Sequence, residues 1–254
     1  MFVMKQLDIA LVDFNRSVEL DSNNAKSYVI RGISLKLSGE VDQAIADLNR
    51  AIELNNMDEG NLATAYYHIG SSYISMEDYD VSIANYSKFI ELRPEYGDGY
   101  NMRGWCYMMK GDYEKALLDI NKALELDPND SYIWDSRGVC YYQMGELDQA
   151  IADLSKALEL DPKHANSYCA RGKSYYAIQE YDKAVADFNR VVELHDKGVE
   201  ANYCTCAESY YYRGMCHKAL NQPDEAKADF QAAISSSTDQ SIIDNATNEL
   251  KSME

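Results

Sequence analysis

A period of 34 residues runs through this 254-residue chain and constrains its fold more than any other feature. The pairs Arg-Gly or their equivalents place Gly32, Gly70, Gly104, Gly138, Gly172 and Gly214 at successive separations of 38, 34, 34, 34 and 42 residues. Such a period marks a supersecondary unit that cannot bury its apolar face alone and stacks on copies of itself. With this glycine at position 8, position 20 is small in every repeat: Ala44, Ser82, Ala116, Ala150, Ala184 and Ala226. Position 24 is large: Leu48, Tyr86, Ile120, Leu154, Phe188 and Phe230. Position 4 is aromatic: Tyr28, Tyr66, Tyr100, Trp134, Tyr168 and Tyr210.

Each repeat reads as two amphipathic helices, A and B, joined by a turn. Gly39, Gly111 and Gly145 are expected to stop helix A in the left-handed conformation. Acidic residues such as Asp112 and Glu114 then open helix B, where the positive end of the dipole favours them. A glycine inside a helix costs about 1 kcal/mol relative to alanine. Here it faces the small residue at position 20, and close approach of the two helices offsets that cost.

Arginine at position 7 has an answer at position 23. Arg31, Arg103, Arg137, Arg171 and Arg213 share their repeats with Asp47, Asp119, Asp153, Asp187 and Asp229. In the second repeat these positions are Ile69 and Asn85, so both charges vanish together. The joint loss predicts an ion pair inside each repeat and leaves the guanidinium little to offer an anionic ligand.

These marks resemble the tetratricopeptide repeat, with Trp134, Gly138, Tyr141, Ala150, Leu154, Ala157 and Pro162 the fullest match. The resemblance implies an all-α, right-handed α-solenoid over residues 1–254. Its expected divisions are an N-terminal half repeat at 1–24, repeats at 25–62, 63–96, 97–130, 131–164, 165–206 and 207–240, and a capping helix at 241–254. Residues 3–21 align with 143–161, so the first helix is a helix B without its helix A. Leu7, Leu11, Phe14 and Val18 should then form an uncovered apolar strip and favour a homodimer through this edge. Four extra residues before the second repeat and eight before the sixth are expected to lengthen the helices next to them.

The resemblance also implies a concave groove lined by positions 2, 5, 9, 12 and 13 of helix A, holding a peptide or a partner helix. The expected groove residues are Tyr67, Asn101, Trp105, Met108, Tyr132, Asp135, Val139, Tyr142, Asn166, Lys173, Tyr176 and Tyr211. Trp105 is the expected anchor, with Asn101 and Asn166 bonding a ligand backbone. The chaperone-tail clamp of this family needs lysine at position 5, and no repeat here has one. The implied function is a noncatalytic interaction scaffold, with a self-assembling structural protein as the alternative.

Composition narrows the partners. A net charge of -18 repels phosphate backbones and anionic headgroups, which argues against nucleic acid and membrane surfaces. His68, His164, His195 and His217 lie in different repeats with no carboxylate or cysteine at ligand spacing, so no catalytic role, metal or cofactor is expected. Cys106, Cys140 and Cys216 share position 10 and read as reduced core residues, consistent with a cytoplasmic protein. Cys204 and Cys206 form a lone C-x-C, too little for a metal site.

Overall fold

The computed structural model describes residues 2–199 and 205–253, and the described residues form fourteen α-helices. The chain divides into two compact units, Met1–Pro128 and Asn129–Glu254.

The first unit holds α1 (Phe2–Leu20), followed by three hairpins. These are α2 (Ala25–Leu37) with α3 (Val41–Leu54), α4 (Glu59–Ser75) with α5 (Tyr79–Leu92), and α6 (Gly97–Met109) with α7 (Tyr113–Leu126). The second unit repeats the pattern with α8 (Ser131–Met144) and α9 (Leu147–Leu160), α10 (Ala165–Ala177) and α11 (Tyr181–Asp196), and α12 (Cys206–Ala219) and α13 (Pro223–Ser236). It closes with α14 (Gln240–Lys251), whose Ala246, Ile242 and Leu250 pack on Phe230 and Ala233. The extra residues before the second repeat do lengthen α4. Those before the sixth repeat instead extend α11 to Asp196, and α12 starts at Cys206.

The hairpin turn is the same in all six repeats. Residue 15 of each adopts a left-handed conformation, as Gly39, Gly111 and Gly145 at φ 88°, 78° and 80°, and as Glu77, Gln179 and Asn221 at 58°, 64° and 58°. The next amide reaches back five residues: Glu146 N donates to Tyr141 O at 2.9 Å, and Glu180 N to Tyr175 O at 2.9 Å. This pattern satisfies carbonyls that the end of helix A would otherwise orphan. Glycine therefore marks only half of the turns that share this geometry.

Position 8 fixes how close the two helices of a hairpin lie. A methyl group on Gly138 would sit 2.6 Å from Leu154 Cγ and 3.2 Å from Leu154 N. Position 20 and position 24 fill the space around it, with Ala150 and Leu154 fully buried.

The α1 strip departs from expectation. Val18 is buried and Leu7, Leu11 and Phe14 are half-buried, because this stripe turns toward α2. Among the described side chains of α1 the large apolar ones left open are Ile9 and Val12, 61% and 67% exposed, together with Leu20.

Candidate binding face

All five arginines pair as their spacing predicts. Arg137 Nε and Nη2 donate to Asp153 Oδ2 and Oδ1 at 2.6 and 2.9 Å, and the same two-pronged bond joins Arg31 to Asp47, Arg103 to Asp119, Arg171 to Asp187 and Arg213 to Asp229. Each guanidinium also lies over the ring at position 4, with Arg137 4.8 Å from the Trp134 centroid. Such stacking adds roughly 0.5–1 kcal/mol where it is solvent-exposed.

A third bond was not legible in the sequence. Nη1 reaches the preceding repeat: Arg31 to Asn15 Oδ1 at 3.1 Å, Arg103 to Ser87 Oγ at 3.0 Å, Arg171 to Ser155 Oγ at 3.0 Å, and Arg213 to Asn189 Oδ1 at 2.7 Å. All four acceptors occupy position 25, so the arginine ties helix A both to its own helix B and to the helix B before it. The recurrence of Asn or Ser at position 25 is the signal that reveals it. These guanidinia are committed to architecture.

The expected groove residues divide by burial. Asn101, Met108, Asp135 and Asn166 are buried and contribute little surface. Tyr67, Trp105, Val139, Tyr142, Lys173, Tyr176 and Tyr211 are half-buried, while Tyr132 is 59% exposed. In the second unit the tyrosines form a connected group on successive A helices: Tyr176 meets Tyr212 edge-on at 5.6 Å, and Tyr212 meets Tyr211 at 5.5 Å. In the first, Tyr67 packs against Phe89 at 5.2 Å and Tyr86 at 5.5 Å. Lys173 donates to Glu208 Oε1 at 2.6 Å, across α10 and α12.

Two histidines meet carboxylates that linear spacing conceals. His217 Nε2 lies 3.6 Å from Asp229. Ser167 Oγ donates to Asp135 Oδ1 at 2.6 Å and lies 2.6 Å from His164 Nδ1, with Tyr132 edge-on to the imidazole at 4.6 Å. Since the serine proton goes to the carboxylate, His164 Nδ1 is the donor to Ser167, and Nε2 is left buried without a partner. Burial pushes the Asp135 pKa up, while nearby His164 pulls it down. A serine, a histidine and an aspartate in contact suggest a hydrolase, yet here the serine stands between the other two and is fully buried. Its hydroxyl is spent on the carboxylate rather than activated for attack. The trio docks α10 against α8.

Among the described residues no group of three or more His, Cys, Asp and Glu is placed to hold a metal, and no helix is long and apolar enough to cross a membrane. Cys106, Cys140 and Cys216 are free and buried, and burial pushes their pKa values up to about 12, 11 and 12. Cys206 is free as well, and Cys204 of the C-x-C pair lies outside the described residues. Cys169 is disulfide-bonded, which removes the cysteine argument for a reducing compartment.

Family comparison agrees with the hairpin geometry. The description "Tetratricopeptide repeat" matches residues 25–56, 63–96, 97–130, 120–152, 165–195 and 207–237, and "TPR repeat" matches 138–179. Among solved structures the chain is similar to YrrB, a TPR protein with an unusual peptide-binding site, at 26% identity and a TM-score of 0.54 over 72% of this chain and 92% of that one. It is also similar to a tetratricopeptide repeat protein from Parabacteroides merdae (19% identity, TM-score 0.72, 97% and 93% covered). The type IV pilus biogenesis factor PilW gives 17% identity and a TM-score of 0.71 over 86% and 96%. No curated protein matches the sequence.

Proposed function

Because this chain belongs to the tetratricopeptide repeat family, whose members are protein-interaction scaffolds, we propose that it is a noncatalytic scaffold binding a peptide or partner helix on its A-helix face. The observation that carries this reading is the set of part-exposed aromatic residues at groove positions within each unit. Tyr132, Tyr142, Tyr176 and Tyr211 supply it in the second unit, and Tyr67 and Trp105 in the first. Tyr and Trp present large contact area at low entropic cost. The aromatic character suits apolar side chains, and the absence of lysine from position 5 sets the face apart from a chaperone-tail clamp. The likeness to YrrB, itself described as peptide-binding, supports a peptide as the ligand class.

The test is calorimetry against peptides selected from a displayed random library. Trp105→Ala should weaken binding of a ligand held by the first unit by about 2 kcal/mol if Trp105 is a hot spot, and Tyr142→Ala should do the same for a ligand held by the second. Lys122→Ala and Lys156→Ala, on exposed B-helix positions paired with Glu125 and Glu159, should not. Loss of binding from the lysine changes alone would overturn the assignment.

A second reading, association of two copies through α1, is favoured by the exposure of Ile9 and Val12. Apolar strips of this sort drive association. Sedimentation should then show a dimer that Val12→Glu dissociates, and a monomer at high concentration would remove this reading.

A further inference from the structure

In the first unit, the A-helix face carries a lysine that meets no carboxylate among the described residues. Lys110, Lys173 and Lys218 each reach one, in Asp80, Glu208 and Glu249. Lys36 on α2 is half-buried and donates instead to the Ser71 hydroxyl on α4. An ammonium has three donors, so this one has donors to spare in a place where burial already pulls its pKa below the usual lysine value. A further polar atom nearby is unsatisfied: His68 Nδ1 on α4 is buried without a hydrogen bond, while the hydroxyl of Tyr86, a fully buried side chain on α5, interacts with Ser71. Lys36 is close enough to His68 to help hold that imidazole neutral, with a pKa brought to about 4 mainly by burial.

An acceptor bearing a single negative charge is the group this ammonium lacks. We propose that Lys36 and Ser71, with the His68 imidazole nearby, form a carboxylate-binding subsite that takes the one acidic group of an otherwise apolar peptide. The proposal rests on the reading that the A-helix face binds a peptide. The ammonium supplies the charge and the spare donors, with the Ser71 hydroxyl against it and the His68 imidazole near enough to feel its charge. A carboxylate fits better than a phosphate. There is one cation to balance one charge, no guanidinium is free to fork around a phosphate, and a protein of net charge -18 repels a dianion more strongly than a monoanion. The same field excludes a run of acidic residues, so the ligand carries one acid among apolar neighbours such as would suit Tyr67 and Tyr73. The constellation uses position 12 of one repeat and positions 6 and 9 of the next, and its lysine is not the position-5 lysine of the chaperone-tail clamp.

Two measurements test it. The first uses sodium acetate alone, titrated against labelled protein at constant ionic strength. The Lys36 Nζ and His68 imidazole resonances should shift and saturate with acetate but not with chloride, and Lys36→Met should abolish the His68 shift while leaving the melting temperature within a few degrees of wild type. Absence of an acetate-specific shift overturns the subsite whatever the peptides do. The second uses peptides selected from the random library on the wild-type protein. They should carry a carboxylate, lose about tenfold or more in affinity with Lys36→Met, and lose as much when that group is neutralised. Glu→Gln in the peptide and C-terminal amidation distinguish a side-chain acid from a free C-terminus. Peptides that need Trp105 but ignore Lys36 would retain the binding face and overturn the subsite. An acetate response with no selectable peptide would keep the anion site and overturn the peptide-binding face on which its proposed ligand depends.

Discussion

Arg137 and Asp153 decide how much a single residue matters here, because their side chains are only 20% and 9% exposed. Asp153→Ala leaves a guanidinium committed to a largely dry site, and thermal or urea denaturation should register a loss of about 3 kcal/mol. Replacing both partners with leucine should recover most of it, since a buried ion pair exchanged for packed apolar groups is often nearly neutral. His68 gives a second residue-scale expectation. Its folded pKa of about 4 lies below the ordinary 6.5, so the unfolded chain binds the extra proton between those values and stability falls as pH drops through that window. Discounting for the part of the ring that solvent reaches, the difference between wild type and His68→Gln should close by about 1–2 kcal/mol from pH 7 to pH 4. The Arg–Asp pairing was readable because both charges disappear together at Ile69 and Asn85. The Asp135–Ser167–His164 trio was not, since its contact spans 32 residues and no repeat copies it.

At the scale of the helix pair, two glycine rules run in opposite directions. Gly138→Ala gains about 1 kcal/mol of helix propensity. It forces a methyl group against Leu154 at 2.6 Å, and overpacking costs roughly 1–3 kcal/mol. The net result should be destabilisation visible as a lower denaturation midpoint. At the hairpin turn, Gln179 holds a left-handed conformation at φ 64° without being glycine. Gln179→Gly should therefore stabilise by about 0.5–1 kcal/mol, and the same holds for Glu77→Gly. Helix pairing and turn placement were legible because sterics repeat every 34 residues. The direction of α1 was not: periodicity identifies its apolar stripe, while only the packing on α2 shows that Ile9 and Val12, off that stripe, remain open. Position 5 of helix A is similar. Its residues look like groove lining by register, yet Asn101 and Asp135 are buried where successive A helices approach.

Across the whole molecule the arginines make the repeats mechanically unequal. A hydrogen bond has direction, so an arginine reaching from one repeat to position 25 of the repeat before it resists sliding as well as separation. Between the first and second repeats that arginine is missing, because Ile69 stands in its place, and Val29, Leu48, Ala65 and Ile69 close the joint by apolar packing. Apolar contact is nondirectional. This joint is thus the bearing of the first unit, where shear meets least resistance, and amide exchange should open α3 and α4 ahead of α5 and α6. Lys36 and Ser71 lie on opposite sides of that bearing. Whatever ligand clasps both would act as a brake on it, turning occupancy at one side chain into stiffness along several helices.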